Sequence, residues 1–210
     1  MPKKDYYDYD IDMDMPMQGC EIEDLFILKD IPIRKFYLNY GVDQPGVHAI
    51  ARHILQINAE DRGIPVEDRQ PILIYIISEG GDVDSGFELI DVIECSETPV
   101  YTINIGYQYS MGFLIGLAGH KRYATKNAKF LMHDGSKVIW DSSCKVEDQM
   151  EFHKLVESRI KDYVVSHSKL TPEEYDAKRR IEWYMFAEEA KEKGFTDYII
   201  GVDCDIGEIV

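Results

Sequence analysis

Positive charge, paired cysteines and long apolar runs are what this chain has little of. Its 23 lysines and arginines stand against 39 aspartates and glutamates, a net charge of −16. That deficit argues against nucleic acid, whose phosphates are neutralised by lysine and arginine, and against an anionic membrane surface. The four cysteines (Cys20, Cys95, Cys144 and Cys204) form no CxxC pair and no disulfide framework. They read as reduced thiols of a cytoplasmic protein. No apolar run approaches the roughly 18–20 residues of a membrane span. The lysines near the N-terminus lead into no apolar stretch, so no secretory signal is expected. The histidines lack metal-ligand spacing, and neither a phosphate loop nor a dinucleotide fingerprint occurs. The reading is therefore no metal and no cofactor; any ATP must come with a partner.

What is there suits one globular domain. An apolar content of 45% over 210 residues is enough for a full core. Residues 1–20, rich in Asp, Tyr and Met, read as a mobile acidic arm, and residues 21–210 as the domain. Strands are expected at Ile22–Leu28, Arg34–Tyr40, 72–77, 100–105, Arg122–Ala124, Ala128–Met132 and Tyr198–Val202. Ile50, Ile54, Leu55 and Ile57 recur at helical spacing, so a helix is expected over 45–60, with others at 84–94, after Ser110 and at 188–193. Thr171-Pro172-Glu173-Glu174 has the pattern of a capping box and opens another. Residues 145–167 carry an apolar stripe against a charged face, a long amphipathic helix that needs a partner. Strands alternating with helices imply an α/β fold with a largely parallel sheet.

Three short segments carry chemistry. Ser78-Glu79-Gly80-Gly81-Asp82, Tyr109-Ser110-Met111-Gly112 and Leu131-Met132-His133-Asp134-Gly135 each close a β-branched run. Strand ends present side chains and free amides to a cleft. A serine is a poor nucleophile until a base takes its proton and donors receive the oxyanion. Ser110 opens a helix whose first amides are unpaired, and a Gly-Gly turn lets a second amide approach a carbonyl. Alone, Ser110 also fits a helix N-cap, and His133 a half-buried, hydrogen-bonded histidine. Together with the glycine turn they read as a serine-hydrolase site.

The string from Gly80 to Asp134, GGDVDSGFELIDVIECSETPVYTINIGYQYSMGFLIGLAGHKRYATKNAKFLMHD, resembles the proteolytic subunit of the Clp protease. That family carries Ser-Pro-Gly-Gly, Gly-x-Ala-Ser-Met-Gly and Met-x-His-Gln-Pro at these places. The likeness runs from about Arg34 to Val202 and takes in AEEAKEKGFTD. It implies a crotonase-like spiral of ββα units, with helix 145–167 as a protruding handle that joins two heptameric rings into a tetradecamer. It implies Ser110 as nucleophile, His133 as general base, and the amides of Gly81 and Met111 as oxyanion hole. The substrate would be unfolded polypeptide or short peptides, with a Clp-type ATPase as partner. The sequence departs from the family in several places. Lys178 falls where the family has its triad Asp, which leaves Asp176, two residues away, or Asp134 as the acid. Tyr109 replaces a small residue, Asp134-Gly135 replaces Gln-Pro, and Glu79 replaces a proline. Rival readings are a Ser110–Lys178 dyad, a degenerate structural subunit of a mixed ring, and an acyl-CoA hydratase or isomerase on the same spiral. The last class uses a carboxylate base and needs no Ser–His pair.

Overall fold

The computed structural model describes residues 28–136 and 139–209. The arm over 1–20 lies outside them, as does the strand expected at Ile22–Leu28 apart from its last residue. Seven strands form one sheet: β1 (Lys35–Leu38), β2 (Ile72–Ser78), β3 (Val100–Tyr109), β4 (Lys121–Thr125), β5 (Lys129–Met132), β6 (Trp183–Phe186) and β7 (Tyr198–Ile200). The order β1-β2-β3-β4-β7 is parallel throughout. β2 is the run ILIYIIS and is buried on both faces, as a central parallel strand must be. The fold is α/β with a parallel sheet, as the alternation implied.

β3 positions the site. Its first half, Tyr101–Asn104, pairs with β4, and its last residues, Tyr107–Tyr109, pair with β5. One strand thus serves two neighbours in succession, and its tip carries Ser110 to the end of β5, its N–H bonded to the Leu131 carbonyl. The run expected over 100–105 therefore extends to Tyr109, because β5 supplies a new partner where β4 ends. β5 also pairs antiparallel with β6, from Lys129↔Phe186 to Met132↔Trp183. β6 was not expected from the sequence.

The longer helices among the described residues are α1 (Gln44–Glu60), α2 (Val83–Glu94), α3 (Met111–Leu117), α4 (Ser143–Ser166), α5 (Pro172–Lys178) and α6 (Ala187–Glu192). α1 buries Val47, Ile50, Ala51, Ile54 and Ile57, one face at helical spacing. α2 starts at Asp82, whose carboxylate accepts from the Ser85 N–H at 2.7 Å and hydroxyl at 2.6 Å. α5 carries the expected capping box, Thr171 with Glu174. α6 runs into Gly194 at φ +77°, a left-handed residue that glycine adopts without strain. α4 is different: over 24 residues only Tyr163 and Val164 are buried. Its Phe152 and Leu155 are 63% and 66% exposed, so the apolar stripe is uncovered in the single chain.

Candidate active site

The turn from β3 into α3 is made by Ser110 itself, at φ 52° and ψ −120°. Only it and Arg34 among the described non-glycine residues have positive φ. Such a backbone costs roughly 1–3 kcal/mol and persists only where surroundings hold it. Here the Ser110 N–H donates to the Leu131 carbonyl at 3.0 Å, and its carbonyl accepts from Phe113 and Leu114 at 3.0 and 3.3 Å. Every residue of α3 is buried, which fixes the helix behind it. The Ser110 side chain makes no capping bond. The N-cap reading therefore fails, and the hydroxyl stays free for other work.

The glycine turn is built against that elbow. Gly80 has φ +92°, and a Cβ on it would lie 2.7 Å from the Tyr109 carbonyl and 2.8 Å from the Met111 nitrogen. Only glycine fits so close to the Ser110 turn. The Gly80 N–H donates to Ser78 Oγ at 3.2 Å, and Ser78 Oγ donates to the Tyr40 carbonyl at 2.7 Å. Val42 bonds the residues on either side of Gly81: its N–H donates to Gly80, and its carbonyl accepts from Asp82, both at 2.8 Å. Gly81's own N–H therefore points away from Val42. Met111, first residue of α3, has an N–H with no intrahelical partner.

His133 stands just past the end of β5. Its Nδ1 lies 2.8 Å from Glu182 Oε1. An ionised carboxylate only accepts, so Nδ1 donates to it, and in the neutral ring Nε2 holds the lone pair. Nε2 is buried and has no hydrogen-bond partner among the described residues. Buried nitrogens are rarely left this way without a reason, and catalysis is one. Glu182 reaches the ring because β6, which begins at the next residue, zips antiparallel onto β5 beside it.

Ser110, Met111, Gly81 and His133 all line one cleft of about 450 Å³. Phe113, Leu114, Met132, Phe152, Val156 and Ile160 give it an apolar wall. Burial pushes the phenol of Tyr175, also on the cleft, up to about 12, so it stays neutral. A larger groove, about 810 Å³, contains none of these groups. It lies where α3, α4 and α6 end, and its Arg122 donates to the carbonyls of His167 and Gly194 at 2.7 and 2.8 Å. Cations there answer helix C-termini.

A Clp protease family model matches residues 33–203. The chain belongs to the Clp protease family. It is 29% identical over 192 residues to the ATP-dependent Clp protease proteolytic subunit 1 of Frankia casuarinae, covering 90% of this chain and 87% of that one. It is 25% identical over 186 residues to proteolytic subunit 2 of Treponema pallidum, covering 88% and 90%. With proteolytic subunit 1 of Streptomyces avermitilis it shares 30% over 166 residues, covering 78% and 73%.

Within this Clp protease family member the remaining expected residues fall as follows. Asp176 is not brought to His133. Its carboxylate takes a 2.5 Å hydrogen bond from Lys161, which holds it below the ordinary carboxylate value, and Arg179 lies 3.9 Å away. Helix α5 points that side chain at α4 rather than at the histidine. Asp134 accepts from Arg179 at 3.0 Å. Lys178 is stacked over Trp183, its Nζ 4.5 Å from the ring centroid. Tyr109 packs edge-on against Tyr184 and beside Tyr107, and burial there pushes its phenol up. Glu182 is the residue that sequence reasoning missed. The strand pattern Trp-Tyr-Met-Phe directly after it, buried and exposed in alternation, was the available signal.

Proposed function

We propose that this chain is the subunit of a serine endopeptidase that cleaves unfolded polypeptide or short peptides through an acyl-enzyme. The carrying observation is the buried, unpartnered Nε2 of His133 in the same cleft as the Ser110 hydroxyl. In this reading Nε2 takes the Ser110 proton as Oγ attacks the scissile carbonyl carbon. The carbonyl oxygen, now an oxyanion, is received by the N–H groups of Gly81 and Met111. Collapse expels the amine, which leaves with the proton from His133, and water then hydrolyses the ester by the same route in reverse. Glu182, rather than Asp176, is the acid that holds the ring and stabilises its charged form. The uncovered stripe of α4 supports assembly into stacked rings, and the relatives' names support an ATP-dependent unfoldase as partner.

The test is intact-mass analysis after incubation with a fluorophosphonate, beside a Ser110→Ala control. One adduct on the wild type and none on the control is expected. No adduct on assembled wild type would refute catalysis and favour the structural-subunit reading, which the unmade Ser110–His133 bond otherwise supports. An acyl-CoA enzyme would likewise leave Ser110 unlabelled.

A further inference from the structure

We propose that Trp183 is a positioning residue that keeps the Lys178 ammonium away from Glu182, and so keeps that carboxylate available to His133. This rests on the Ser110–His133–Glu182 reading above.

The two side chains compete for one short stretch of chain. Lys178 ends α5, and the turn that follows folds back on it, the Ile181 N–H donating to the Lys178 carbonyl at 3.2 Å. Glu182 comes next. The neighbouring Arg179 carbonyl accepts from the Asp134 N–H at 2.7 Å, which pins this turn beside the histidine's own backbone. A four-carbon ammonium anchored there has the reach to meet the acid. Glu182 is open to it: its side chain is 58% exposed, and its bond to His133 uses Oε1. An ammonium on that carboxylate would cancel the charge that His133 needs when it takes the serine proton.

The lysine is instead held on the indole. Lys178 Nζ lies 4.5 Å from the Trp183 centroid, within range of attraction to the ring's negative face. Trp183 is a fixed platform. It is 6% exposed, its Nε1–H donates to Glu189 at 3.0 Å, and its ring meets Phe195 edge-on at 5.9 Å. Its backbone pairs with Met132, the residue before His133. Successive side chains on an extended strand point to opposite faces, so a cation parked on Trp183 is held across the chain from Glu182.

The experiment compares Trp183→Met, Lys178→Met and the double variant in rings of full-length protein, with the fluorophosphonate labelling rate of Ser110 as readout. Releasing the lysine is expected to slow labelling of Trp183→Met roughly five- to tenfold, a restraint between the exposed and the desolvated strengths of a cation–π contact, as suits a half-buried lysine. Lys178→Met alone should stay within about twofold of wild type, and the double variant should recover to that level. Rescue by deleting the lysine is what damage to packing would not give. Trp183→Phe keeps a ring and should fall between, which serves as the test if Trp183→Met does not fold. A double variant as slow as its tryptophan parent, or a large loss in Lys178→Met, would overturn the inference while leaving the peptidase reading intact. Unlabelled wild type would instead defeat the peptidase reading itself.

Discussion

Glutamine at position 182 keeps the shape of the side chain and its acceptor oxygen and removes only the charge. With Nδ1 and Oε1 2.8 Å apart, the imidazolium charge that the proposed mechanism forms sits about 4 Å from the carboxylate charge. Their attraction is then ~1 kcal/mol in water and ~4 kcal/mol at the effective dielectric of a protein surface. The Glu182 side chain is 58% exposed and that of His133 25%, which places the pair between those limits. A loss of about 2–3 kcal/mol follows, or roughly 30–150-fold in rate. That is well short of the roughly 10⁴-fold seen for a buried triad acid. The assay is kcat on a short fluorogenic peptide with the labelling rate of Ser110 beside it. KM should change little, because the glutamate touches the base and not the substrate. Glu182→Gln within twofold of wild type would refute the assignment. So would Asp176→Asn falling as far, since its carboxylate is bonded to Lys161 and should be dispensable for the chemistry.

Other perturbations follow from the same geometry. Gly80→Ala forces a methyl against the Tyr109 carbonyl and the Met111 nitrogen at positive φ, and should abolish Ser110 labelling while circular dichroism still reports a fold. Arg122→Met removes a bidentate ion pair with Asp197 and two carbonyl bonds, and should cost about 2–4 kcal/mol, read as a lower thermal midpoint. Asp61 is pushed up by burial, but hydrogen bonds from Arg34 and Thr98 and the charges of Arg34 and Arg69 outweigh this and hold its carboxyl below the ordinary value. A depressed carboxylate stabilises the fold above its unfolded value of 3.8 and loses that as pH falls through the folded value. The gap in melting temperature between wild type and Asp61→Asn should therefore be wide at pH 7 and close on the acid side of pH 4. Phe152→Glu with Leu155→Glu places charge on the uncovered stripe of α4 and should shift sedimentation toward smaller species.

Most of the frame was legible because its signals are local. The seven-residue run of β2, the helical spacing of Ile50, Ile54 and Ile57, and the capping box at Thr171 each fix an element from its own residues. The placement of Ser110, His133 and the glycine pair at strand ends was legible for a similar reason, since each closes a strand. The acid was not. Nearness to Lys178, the residue at the family's acid position, favoured Asp176, but helix α5 turns that side chain toward Lys161. Glu182 is set by pairing between β5 and β6, strands more than 50 residues apart, and a glutamate before a short aromatic strand has no motif to declare it. The seat of Lys178 was equally unreadable, because its partner is a ring five residues on.

The antiparallel pairing of β5 with β6 has a consequence for the order in which this molecule comes into being. Ser110, the glycine turn and His133 all lie in one stretch of 54 residues, Gly80 to His133, and contacts of such short loops close early. Glu182 is made 49 residues after His133, a gap of roughly 2–10 s on a ribosome adding about 5–20 residues per second. Until β6 docks, the histidine has no carboxylate to orient it. On the proposed mechanism, a nascent subunit would thus carry its serine in a dormant form while still threaded through the ribosome, and would arm itself only once the C-terminal quarter had found the sheet.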